Sequence, residues 1–146
     1  MDFLDRLARA IFELHPTHTL LVHFPIALTA TALLFVILAK MRRSEILEKA
    51  AYYNLIVAAV GTAAAGVAGA MDNINRFDGN AENAWIKIFL AASLFVLTTI
   101  TAISRRRNPD ILWSQSSAIL YIAAFIAAFA LAAVLGFLGG IIVYGF

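Results

Sequence analysis

Three histidines, a methionine and an aspartate are the residues with which this chain could do chemistry. His15, His18 and His23 fall in one short stretch that also holds Pro16 and Pro25, while Met71 and Asp72 stand at the end of a later apolar run. Imidazoles, sometimes with a thioether opposite, hold haem iron inside helix bundles. His23, His15, His18 and Met71 are therefore candidate ligands of a b-type haem. The three histidines share one segment, so two of them cannot face each other across one ring. The partner of His23 would be Met71 or a histidine of a second subunit. His15, His18 and His23 with Asp72 are also the ligand types for zinc, iron or copper. On an ideal helix His18 and His23 differ by about 140°, so they do not share a face. The simplest role is structural: an imidazole bonding a carbonyl freed by Pro25, or a polar group across a bundle.

The elements that must position these residues are apolar. The chain has 146 residues, of which 62% are hydrophobic and 14% charged, and its mean hydropathy is +0.86. Soluble domains carry about 45–50% apolar and about 25% charged residues, so this composition indicates an integral membrane protein. Four runs are long enough to cross a bilayer, which takes about 20 apolar residues. They cover about residues 19–39, 50–71, 84–104 and 117–144 of a single membrane domain. Short connectors between antiparallel spans predict an all-α, up-down four-helix bundle. Ahead of it, residues 1–14 place Phe3, Leu4, Leu7, Ile11 and Leu14 at helical spacing, which predicts a short amphipathic helix lying at the interface.

Within the spans two patterns stand out. Pro25 lies inside the first and removes the bond to the carbonyl of Leu21, which predicts a kink. Gly61, Ala65 and Gly69 in the second span, and Gly136 and Gly140 with neighbouring Gly139 in the fourth, are small residues that let another helix approach closely. Ser44 is placed to cap the second helix, with Glu45 and Glu48 favourable in its first turn. The chain contains no cysteine, which excludes disulfides and thiolate metal sites.

Basic residues set the expected orientation. Lys40, Arg42, Arg43 and Lys49 flank the first connector, and Arg105, Arg106 and Arg107 the third. The positive-inside rule then puts connectors 40–49 and 105–116 in the cytoplasm of a cell with this chain in its inner membrane, and both termini outside. The histidines, Met71, Asp72 and the glycines of the fourth span fall at that same outer end. The small net charge of +2 sits beside membrane spans and gives no reason to expect nucleic acid.

His15-Pro16, then Val22-His23-Phe24-Pro25-Ile26-Ala27-Leu28, then Gly136-Phe137-Leu138-Gly139-Gly140 with Val143-Tyr144 form a combination spread over nearly the whole chain. In these residues the chain resembles the predicted bacterial membrane proteins grouped as domain of unknown function 2231. The resemblance implies four spans and a histidine-bearing outer end, with no established activity. A further histidine associated with the second connector of that family is replaced here by Asn80, Glu82, Asn83 and Trp85.

No serine–histidine–acid set, HExxH motif or glycine-rich phosphate loop is present, so the chain reads as non-enzymatic. The expected role is a small accessory or scaffolding subunit of a respiratory or photosynthetic membrane assembly, embedded in lipid among other membrane subunits or copies of itself. Contact with haem or pigment would fall at its outer end. The alternatives are a stand-alone haem b electron carrier or sensor, and a divalent-metal-binding membrane protein.

Overall fold

The computed structural model describes residues 17–79 and 84–144, which form four α-helices and, among the described residues, no strand. They are α1 (Thr17–Arg42), α2 (Glu45–Phe77), α3 (Ala84–Arg107) and α4 (Gln115–Tyr144). Each contains an apolar stretch of 22 to 30 residues, enough to cross a bilayer. The helices run a turn or so beyond several of the expected spans, because backbone bonding continues into the polar residues where hydropathy already falls. The proposed amphipathic helix over residues 1–14 lies outside the described residues.

Local chemistry explains the boundaries. α1 ends where Arg43 takes a left-handed conformation (φ 50°) and the Ser44 N–H donates back to the Ala39 carbonyl at 3.1 Å. Ser44 then caps α2, its hydroxyl accepting from the Leu47 N–H, with Glu45 and Glu48 in the first turn. α2 stops at Asp78 and Gly79, both at positive φ, with the Gly79 N–H bonded to the Asn73 carbonyl. Between α3 and α4 residues 108–114 make tight turns in which the Asp110 carbonyl accepts from the Trp113 and Ser114 N–H groups.

The helices close into an up-down ring: α1 packs on α2 and α4, and α3 packs on the same two. Each buries one seam. In α1 it is Pro25, Thr29, Ala32, Val36 and Ala39; in α2 Glu48, Ala51, Leu55, Ala58, Thr62 and Ala65; in α3 Leu94, Thr98 and Thr101; in α4 Ala118, Tyr121, Phe125, Ala128 and Ala132. The steps alternate between three and four residues, which is the spacing of left-handed coiled-coil packing. The seams are rich in alanine and threonine, which let the backbones approach closely, around a few large side chains, Leu55, Leu94, Tyr121 and Phe125.

Pro25 does not interrupt α1. Thr29 sits one turn beyond it, buried, and its hydroxyl donates to the Pro25 carbonyl at 2.6 Å. Pro25 and Phe24 mark the crossing of α1 with α2, since a Cβ on Gly61 would lie 3.5 Å from Phe24 Cβ and Pro25 Cδ.

Candidate functional site

The two ends of the bundle differ in chemistry. At the histidine end, His15 lies outside the described residues, and His18 is described only as part of the α1 backbone. His23 is exposed on α1, next to exposed Phe24 and two residues before Pro25, the first buried residue of the α1 seam. Met71 is 60% exposed on α2, and Asp72 is half-buried. The crossing at Gly61 fixes their register. Met71 and Asp72 follow Gly61 by ten and eleven residues, which at the helical rise puts them about 12–15 Å farther along the bundle axis than His23. The structure therefore does not bring Met71 to the level of His23. Among the described residues no three histidine, aspartate or glutamate side chains gather closely enough to share a metal ion.

The small residues are used unequally. Gly61 receives α1, and Ala65 is buried. Gly136 faces Ile26 so closely that a Cβ there would come within 2.7 Å of Ile26 Cδ1. Gly69 and Gly140 are half-buried, and a Cβ on Gly139 would meet nothing within 4 Å. Over residues 21–24 of α1, 66–74 of α2, 84–93 of α3 and 133–140 of α4 no side chain is buried. The seam residues named above thus lie in the part of the bundle nearer the basic connectors.

That connector end holds the strongest polar arrangement. Glu48 is the first seam residue of α2 and is only 2% exposed. Arg105 stands four residues beyond Thr101 and so continues the seam of α3. Its Nε and Nη2 donate to Glu48 Oε1 and Oε2 at 2.9 and 2.7 Å, a bidentate pair. The Tyr121 hydroxyl, on the seam of α4, donates to Glu48 Oε1 at 3.3 Å. The guanidinium also lies over the Tyr52 ring, 4.9 Å from its centroid. Three helices are joined at one carboxylate. The fourth joins through Lys40, whose Nζ donates to the Leu112 carbonyl at 2.7 Å and ties α1 to the turn before α4.

Beside this clasp lies a half-open cavity of about 240 Å³, lined by Glu45, Glu48, Lys49, Arg105, Asp110 and Trp113 among others. The four buried threonine hydroxyls do not reach any such space. Thr29, Thr62, Thr98 and Thr101 each donate to a carbonyl four residues back in their own helix, which satisfies them without water.

The clasp was not legible as a unit in the sequence. Glu48 reads as a first-turn acid and Arg105 as the start of a basic stop signal, and both readings are locally right. What signals the clasp is periodicity: Glu48 keeps step with Ala51, Leu55 and Ala58, Arg105 with Leu94, Thr98 and Thr101, and Tyr121 with Ala118, Phe125 and Ala128.

Comparison with known protein families finds a match over residues 14–146 to the family described as predicted membrane protein (DUF2231). No curated protein and no solved structure matches the chain.

Proposed function

The chain belongs to the DUF2231 family of predicted membrane proteins, and from that premise we propose that it works as a non-catalytic accessory or scaffolding subunit embedded in a larger membrane assembly. One observation carries this reading. The clasp charges and the buried hydroxyls have partners within the bundle, while large apolar side chains point outward along every helix, among them Phe24, Val60, Phe95, Ile126 and Phe137. A multi-pass bundle built this way presents helix faces to lipid and to neighbouring spans.

In its narrower form the assembly is an energy-converting one, respiratory or photosynthetic, and His23 meets haem or pigment held with a neighbouring subunit. The position of His23 on the outer surface of α1 supports this form over a self-contained haem carrier, because Met71, the ligand within the same chain, lies at another level. The clustering of Lys40, Arg42, Arg43 and Arg105 to Arg107 at one end favours placing that end in the cytoplasm, in the inner membrane. The test is a reduced-minus-oxidised optical spectrum of the chain purified alone and of the assembly isolated with it. A colourless isolated chain supports the accessory role. A Soret band in the isolated chain that vanishes in His23→Ala contradicts it and establishes a carrier.

A further inference from the structure

We infer that the cavity at the connector end is a binding site for a phospholipid headgroup bearing a primary ammonium, a phosphoethanolamine-type headgroup. It is framed by the first turn of α2, the last turn of α3 and the turn of residues 108–114. These are the levels at which two membrane-length helices leave their apolar stretches. Exposed Ile46 and Ile103 begin the apolar surface of the two helices, so a ligand seated here has lipid beside it.

The lining carries both signs of charge, three carboxylates and two bases. They are not equivalent. Arg105 and Glu48 neutralise each other bidentately and form a fixed floor. Lys49 and Glu45 are exposed and 4.0 Å apart, a loose pair that solvent screens. Among the described residues the Asp110 carboxylate has no hydrogen-bond or ion-pair partner, although the Asp110 carbonyl anchors the turn. The free valence of the wall is therefore the Asp110 carboxylate, an acceptor that shares the lining with Trp113 and with the loosely held cation of Lys49. A primary ammonium donates three hydrogen bonds and suits Asp110 and Glu45, and its flank suits an indole face. A phosphate one ethyl unit away suits Lys49. A choline headgroup offers the positive charge but no donors. A glycerol headgroup offers donors but leaves the carboxylates facing a net anion.

The experiment is native mass spectrometry of the full chain in mild detergent with an equimolar mixture of phosphatidylethanolamine, phosphatidylcholine and phosphatidylglycerol. The expected result is retention of phosphatidylethanolamine over the other two by about tenfold, the worth of one charge-assisted hydrogen bond. Asp110→Asn should bring the three lipids close to parity, and Lys49→Ala should weaken retention of the preferred lipid, while Arg107→Gln, outside the cavity, leaves the preference intact. Neither Asp110 nor Lys49 belongs to the clasp, so thermal unfolding of both variants should match the parent. Equal retention of all three lipids by the parent would overturn the proposal, as would a preference that survives Asp110→Asn. Soluble phosphoethanolamine binding as tightly as the lipid would also overturn it, by making the ligand a soluble metabolite. None of these outcomes bears on whether the chain is an accessory subunit.

Discussion

At Glu48 a carboxylate is taken almost completely out of solvent near the end of a membrane helix, and everything around it serves to make that tolerable. An isolated buried charge is costly, and removing one partner of a buried pair leaves the other uncompensated. Arg105→Gln should therefore destabilise the bundle by about 3–5 kcal/mol, read as thermal unfolding in detergent. The double variant Glu48→Gln with Arg105→Gln should lose clearly less than Arg105→Gln alone. A double variant that loses the sum of the two single changes would show that the residues act independently. Tyr121→Phe removes one long bond to the same carboxylate and should cost about 1 kcal/mol, with no change in the helix content measured by circular dichroism. Sequence reading placed Glu48 in the first turn of its helix and Arg105 in a basic run at the end of another, and still missed their meeting with Tyr121, because the clasp depends on which layers of three helices come level. The histidines illustrate the converse: their types attract attention, but only the register at Gly61 shows that His23 and Met71 sit at different heights.

Among the helices, the pattern that organises packing is one of size rather than polarity. The spans are apolar on all sides, so hydrophobicity identifies four membrane-length helices but says little about which face turns inward. The inward faces are instead the steps of three and four that carry Ala32 and Ala39, Ala51 and Ala58, Thr98 and Thr101, and Ala128 and Ala132. The small-residue spacing of Gly61, Ala65 and Gly69 points to this in part, since Gly61 and Ala65 do lie at or beside the α1–α2 contact. It does not distinguish Gly136, pressed against Ile26, from Gly139, which a Cβ would leave untouched. A glycine series separates the cases. Gly66→Ala meets nothing within 4 Å and should gain about 0.5–1 kcal/mol from helix propensity. Gly61→Ala meets ordinary van der Waals contact at 3.5 Å and should be close to neutral. Gly136→Ala must displace the tip of Ile26 and should be destabilising, with the loss relieved by Ile26→Val. Thermal unfolding of the four variants in one detergent orders them directly, and equal effects at the three glycines would contradict the packing described.

The whole molecule is a bundle fastened at the connector end and carrying the exposed His23 towards the other. Its fold class and its four spans were legible from composition and run length, because a chain with so few charges and such long apolar blocks has few other ways to satisfy its backbone. Its role is written less plainly, since lipid and a partner subunit ask for the same apolar surface. If the outward faces of the helices serve a partner, the chain should occur at fixed stoichiometry within a larger particle. The most direct measurement is native mass spectrometry of particles released from membranes by mild detergent and isolated through a tag on this chain. The accessory role predicts an assembly of defined mass in which this chain is one subunit beside others of different sequence. A population made only of single chains, each carrying its own haem, would contradict it.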